Sequence, residues 1–256
     1  MNIYSLASGS KGNMTLIESQ KVLLCVDVGI SKNKMQDKLN SLNFSFQSIQ
    51  HLLITHEHSD HTVGLKKFIE KQLPNLYMTQ GTYEHLDDDI KHVIKPKLHI
   101  IQSEIPFYID HMKVTPFLLS HDAKEPIGFV IENQDYKIVH GADTGYIDQS
   151  YHELLKHAHV YIIESNHHPE KLLQSPRPMH LKRRILGEKG HLSNEDAAKL
   201  INSWMGPFKT RWMITHISED CNSFLDIEKA LVKYIDRPLD LDIIYALQHE
   251  IAEVHL

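Results

Sequence analysis

Thr55-His56-Glu57-His58-Ser59-Asp60-His61 directly follows the run His51-Leu52-Leu53-Ile54, which reads as a short buried strand. Five of those seven residues can bind a metal or move a proton. Imidazole and carboxylate are the ligands that borderline divalent metals such as zinc prefer, and residues two or three apart on a tight loop can converge on one or two ions. The competing reading is a polar surface loop in a histidine-rich protein. Ligand density and placement at a strand end favour the metal site, because such a loop is exposed while the sheet holds its base rigid.

Working outward, the chain has 256 residues, of which 41% are hydrophobic and 23% charged, which suits one large soluble domain spanning residues 1–256. No basic start leads into an apolar core, and runs such as Val22-Leu23-Leu24-Cys25-Val26 are far too short to span a bilayer. Neither a leader nor a membrane anchor is expected. The two cysteines, Cys25 and Cys221, make no disulfide framework, so a reducing cytoplasmic compartment is the simplest expectation. A formal charge of −6 argues against coating nucleic acid through the whole surface and leaves room for a local groove. The 20 histidines exceed what composition requires, and several fall in short polar clusters of the kind that hold metals.

Residues 3–28 read as a meander of short strands punctuated by Ser8-Gly9-Ser10-Lys11-Gly12-Asn13 and Ser19-Gln20-Lys21. The first of these is either a small-residue turn or a set of backbone N–H groups for an anion. Asp27-Val28-Gly29 closes the third strand, and Ser31 can cap a helix running to about Leu42 with Met35, Leu39 and Leu42 on one face. Beyond the histidine loop, Gly64 to Lys71 reads as an amphipathic helix, Leu76 to Thr79 as a strand and Gln80 to Asp89 as a short helix, an alternation of strands and helices. A second set of strands follows from Leu98 to His140, and two β-rich halves hint at an internal duplication.

Ser120-His121-Asp122 and Gly141-Ala142-Asp143-Thr144-Gly145 each follow a strand. Taken singly, each reads as a turn or cap. Together with the first loop, with Glu164-Ser165-Asn166-His167-His168, and with His216 after Met213-Ile214-Thr215, they form a series of ligand-capable residues at successive strand ends.

This series resembles the five-motif metal site of the metallo-β-lactamase superfamily: His56, His58, Asp60 and His61, then His121, Asp143 and His216, in the right order and spacing. The words Ser8-Gly9-Ser10-Lys11-Gly12-Asn13, Asp143-Thr144-Gly145, Glu164-Ser165-Asn166-His167, Gly190-His191-Leu192-Ser193-Asn194 and His216-Ile217-Ser218 are similar to the YycJ/WalJ-like branch across nearly the whole chain. His168 departs from the acidic residue of that branch. The resemblance implies an α+β fold, a four-layer αββα sandwich, and a hydrolase with two divalent ions, zinc or manganese with iron also suited. His56, His58 and His121 would hold one ion, Asp60, His61 and His216 the other, and Asp143 would bridge them. It also implies a nuclease-like phosphodiesterase, with a 5′-to-3′ exodeoxyribonuclease activity described for some members of the branch. Two ions about 3.5 to 4 Å apart can share a hydroxide as nucleophile and polarise a phosphoryl oxygen. Asp60 is then both a ligand and the group that orients this hydroxide or takes its proton. Glu57 is expected to turn away into a hydrogen bond that supports a ligating histidine.

His191, flanked by glycine just before a helix start, is expected either to contact the scissile phosphate or to protonate the leaving oxygen. Ser193 reads as that helix's N-cap with Asp196, and also as a candidate substrate contact with Asn166 and His167, although His167-His168 can equally be a surface turn. Arg177, Lys182, Arg183, Arg184 and Lys189 make the densest positive stretch. They are either a solvated helix face or a phosphate-binding wall, with Arg183 and Arg184 as the contacts. Two functions compete: a phosphodiesterase acting on nucleic acid, DNA above all, and a small-molecule metallohydrolase of a cyclic phosphodiester, lactone or thioester.

Overall fold

The computed structural model describes residues 1–256. Its first strands are β1 (Asn2–Ala7), β2 (Met14–Ser19), β3 (Val22–Val26), β4 (His51–Leu53), β5 (Asn75–Met78), β6 (Leu98–Ile100) and β7 (Phe107–Ile109). They are followed by β8 (Met112–Leu118), β9 (Ile127–Glu132), β10 (Lys137–Gly141), β11 (Val160–Glu164), β12 (Thr210–Thr215), β13 (Leu241–Tyr245) and β14 (Ala252–His255). The helices are α1 (Lys32–Ser41), α2 (Ser59–Thr62), α3 (Leu65–Ile69), α4 (Gln80–Glu84), α5 (Asp88–Ile94), α6 (His152–Leu155), α7 (Pro169–Gln174), α8 (Met179–Leu186), α9 (Asn194–Trp204) and α10 (Phe224–Tyr234). The helix expected over Gln80 to Asp89 is two pieces, α4 and α5, with Asp87 as the N-cap residue of the second.

The chain forms two compact units, one of residues 1–105, 123–127 and 246–256, the other of residues 106–122 and 128–245. Each is built around one seven-stranded mixed sheet. In the first unit the order is β14-β1-β2-β3-β4-β5-β6, antiparallel from β14 to β3 and parallel from β3 to β6. The chemistry of the connections decides this. Gln20-Lys21, with Gln20 at φ 55°, is enough to turn β2 back into β3, whereas β3 to β4 and β4 to β5 are joined by long helical crossovers that keep the strands parallel. Burial is nearly continuous along β1 to β3, with Leu16, Cys25, Met35, Leu39, Phe46 and Phe68 in the core.

In the second unit the order is β13-β12-β11-β10-β9-β8-β7, with β10, β11, β12 and β13 parallel. Parallel strands all end at the same sheet edge, so residues just past β10, β11 and β12 lie together there. The core holds Phe117, Tyr161, Trp204 and Trp212. Two of their polar atoms are used: Trp212 Nε1 donates to the Ile163 carbonyl at 3.0 Å and Tyr161 Oη to that of Trp204 at 2.9 Å.

Two glycines fix how the first unit's histidine loop leaves the sheet. Gly12, at φ 136°, adopts a backbone that other residues avoid, which lets Asn13 N donate to the Asp60 carbonyl at 2.8 Å. A Cβ on Gly29 would stand 1.6 Å from that same carbonyl oxygen. Gly29→Ala therefore forces the Asp60 turn off the sheet. We expect it to cost about 1–3 kcal/mol, read as a Tm drop of roughly 5 °C or more, together with weakened divalent metal binding by titration calorimetry.

Candidate metal centre

In the first unit, His56 to His61 leave β4 and enter α2 under the control of a residue from the end of β3. Asp27, buried and at φ 59°, points its carboxylate at the loop. Its Oδ1 accepts from Thr55 N at 2.9 Å, and its Oδ2 accepts from Thr55 Oγ1 at 2.8 Å and from His61 Nδ1 at 2.7 Å. Because Nδ1 carries the hydrogen, His61 Nε2 is left with the lone pair a metal needs. Thr55 Oγ1 in turn lies 3.0 Å from His56 Nδ1 and sets that ring in the same way. The His56 ring centre is 4.7 Å from that of His58 and 4.1 Å from that of His61. Asn13 Nδ2 reaches His61 Nε2 at 3.1 Å and Asp60 Oδ2 at 3.4 Å, so the glycine-rich turn supports the ligand loop. Glu57 turns away as expected, but its Oε1 accepts from the Lys124 backbone N at 2.9 Å; this carboxylate braces a neighbouring turn and does not support a histidine.

In the second unit the ends of β10, β11 and β12 bring Asp143, Glu164 and His216 together, and the turn before α9 adds His191. One ligand atom from each of the four lies within 4.8 Å of the others. Glu164 is the hub. Its Oε1 accepts from Thr144 N at 2.6 Å and its Oε2 from His191 Nδ1 at 3.0 Å, with His216 Nδ1 at 3.6 Å. Burial acts to raise its pKa, but the His191 charge and the bonds from His191 and His216 outweigh that and hold the carboxyl below its ordinary range. His191 stacks on His216 with ring centres 4.9 Å apart. His121 Nδ1 faces the Gly190 carbonyl at 3.2 Å, which leaves Nε2 for a metal, 3.9 Å from Asp143 Oδ2. Burial lowers its pKa and keeps the ring neutral. Asp143 at φ 61° and His216 at φ 50° share with Asp27 a left-handed backbone that non-glycine residues avoid. Such strain, about 1–3 kcal/mol per residue, collects at functional sites. Neutral imidazoles with oriented rings and buried carboxylates fit a divalent ion in both units.

Of the expected substrate contacts, Asn166 is committed to His216, with Nδ2 3.0 Å from Nδ1 and donating to the carbonyl at 2.7 Å. Ser193 caps α9, accepting from Asp196 N at 3.2 Å and donating to its carboxylate at 2.7 Å. His167 is not a surface turn: it is 1% exposed, forms a bridge with Ser193, and burial pulls its pKa down to about 4. Three of the five groups in the basic stretch have internal partners. Arg177 pairs with Asp220 at 3.1 Å, Arg184 with Asp122 at 2.9 Å, and buried Lys182 donates to the Leu173 carbonyl at 2.6 Å, which leaves Arg183 and Lys189 as exposed charges. From the sequence, Asp27, just past β3, reads only as the close of a strand, and Glu164, at the end of β11, only as one of a ligand-capable series with no role of its own.

A model of the beta-lactamase superfamily domain matches residues 27–217. Exodeoxyribonuclease WalJ of Streptococcus pneumoniae is 32% identical over 219 residues, covering 85% of this chain and 81% of that protein. Exodeoxyribonuclease YycJ of Bacillus anthracis is 31% identical, covering 85% and 82%. The metallo-β-lactamase fold protein YhfI of Bacillus subtilis superimposes with a TM-score of 0.72 at 15% identity, over 99% of this chain and 98% of that one, which shows the same α+β, αββα fold here.

Asp27→Asn keeps the size of the side chain but removes an acceptor. We expect a folded protein, by circular dichroism, whose manganese or zinc affinity falls about 10- to 100-fold. The metal-free protein should also lose stability in acid. With a folded-state pKa of about 4 against the ordinary 6.5, His167 takes up a proton more readily in the unfolded chain. Its stabilising contribution is complete above 6.5 and is lost as the pH falls toward 4. His167→Gln should flatten the Tm-against-pH curve in that window.

Proposed function

This chain belongs to the metallo-β-lactamase superfamily, in its WalJ/YycJ branch, and on that premise we propose that it is a metal-dependent phosphodiesterase that degrades DNA from the 5′ end. The observation that carries the proposal is the Glu164–His191 pair set among metal-type ligands: a proton donor held beside a site for divalent ions. We assign the two ligand sets to one dinuclear centre within a single functional domain. His56, His58 and His121 would hold one ion and Asp60, His61 and His216 the other, with Asp143 available to both. Such ions would supply activation of water and offset charge on phosphoryl oxygens.

The protein's own groups do the rest. Asp60, held by Asn13, orients the attacking water and takes its proton. Glu164 accepts the Nδ1 hydrogen of His191, which fixes the ring and leaves Nε2 to meet the substrate. As the P–O bond breaks, protonated His191 gives its proton to the leaving oxygen. Arg183 meets the DNA backbone, while Arg184 holds Asp122 beside His121.

One observation favours a small-molecule metallohydrolase as a second reading: Arg177 and Arg184 are paired with carboxylates and Lys182 is buried on a carbonyl, so three of the five basic groups are already engaged. The two readings separate when protein loaded with manganese or zinc is given single-stranded DNA, RNA, bis(p-nitrophenyl) phosphate and a lactone in parallel. We expect end-labelled DNA to be shortened from the 5′ end and chelation to stop it; turnover of the lactone with every phosphodiester intact would overturn the assignment. His191→Ala, with both ions retained by elemental analysis, should lower kcat about 10²- to 10⁴-fold. Arg183→Ala should reduce the salt dependence of DNA binding by about one unit of slope, and an unchanged slope removes Arg183 from the interface.

A further inference from the structure

Three exposed large apolar side chains are aromatic: Tyr108, Tyr146 and Phe224. Tyr108 lies on the edge strand β7, and Phe224 packs on Tyr245 with ring centres 4.5 Å apart. Tyr146 differs, since it comes three residues after Asp143, within about 10 Å of it along the chain.

The backbone around Tyr146 is fixed. Thr144 Oγ1 donates to the Tyr146 carbonyl at 2.6 Å and accepts from Ser120 N at 3.0 Å, and Thr144 N donates to Glu164. Gly145 N donates to the Ser120 carbonyl at 2.8 Å. A Cβ on Gly145 would meet the Glu188 carbonyl oxygen at 2.1 Å, so this turn lies directly against the loop that leads to His191. Ile147, on the other side, is buried. A ring 44% exposed thus stands on a turn clamped between the loop before His191 and the Ser120 turn next to His121. Such placement leaves apolar area in water three residues from Asp143, on a turn whose ordering costs nothing further when a ligand covers it.

We propose that Tyr146 is the stacking platform for a nucleobase next to the scissile phosphate. The inference rests on the phosphodiesterase reading and deepens it: the base beside the scissile phosphate presents an uncovered face to the ring. Aromatic stacking tolerates any base, so Tyr146 supplies grip without sequence preference.

The experiment compares wild type, Tyr146→Ala and Tyr146→Phe, all metal-loaded and matched for Tm. The substrates are a single-stranded oligodeoxynucleotide and the same oligonucleotide with abasic residues at its two terminal positions. Tyr146→Ala should raise KM for the base-bearing strand roughly 5- to 150-fold with kcat within a few-fold of wild type, and Tyr146→Phe should behave as wild type. On the abasic-ended strand, wild type and Tyr146→Ala should share one KM. An unchanged KM for Tyr146→Ala on the base-bearing strand, or an equal loss on both strands, overturns the platform while leaving the phosphodiesterase intact. Wild-type protein that cleaves neither strand overturns both.

Discussion

Asp27 and Glu164 are carboxylates shut away from water, and a carboxylate in that position is tolerated only when donors occupy its oxygens. Each unit meets this demand in the same way. Asp27 accepts from the backbone N–H of Thr55 and from His61 Nδ1; Glu164 accepts from the backbone N–H of Thr144 and from His191 Nδ1. The carboxylate thus fixes the turn that carries the functional residues and selects the tautomer of a histidine in one step. Remove either carboxylate and an imidazole loses its orientation while a backbone donor loses its partner, a loss far larger than one surface hydrogen bond.

That arrangement also explains which parts of the site could be read from residues alone. His56, His58, Asp60 and His61 are adjacent in sequence, so spacing exposes them; His121, Asp143 and His216 show because each follows an apolar strand. Asp27 and Glu164 are hidden by the same rule, for a carboxylate that closes a strand reads as its polar end until the bonds from Thr55 or Thr144, some 20 to 28 residues away, are seen. The strand pattern was clear where turns are short, as at Gln20-Lys21, and less so where a helix breaks for a cap, as at Asp87. Charge was the least readable property. Arg177, Lys182 and Arg184 form a positive run in the sequence, yet Asp220 and Asp122, far along the chain, pair with the two arginines and the Leu173 carbonyl takes up Lys182.

Substrate choice therefore falls to a few groups at the rim. The ligand sets and the Glu164–His191 pair are suited to any phosphoryl or acyl centre that needs activated water and a proton donor, and a fold alone does not choose among them. Arg183, Lys189 and the ring of Tyr146 remain exposed where they can meet a polymer.

We propose one dinuclear centre held by His56, His58, Asp60, His61, His121, Asp143 and His216. Anomalous scattering from crystals grown with manganese, recorded on both sides of the manganese edge, counts and places the ions directly. The account predicts two peaks, one touched by His56, His58 and His121 and one by Asp60, His61 and His216, with Asp143 at both. A single peak enclosed by Asp143, Glu164, His191 and His216 would contradict it, since the proposed proton donor and its partner would then be ligands.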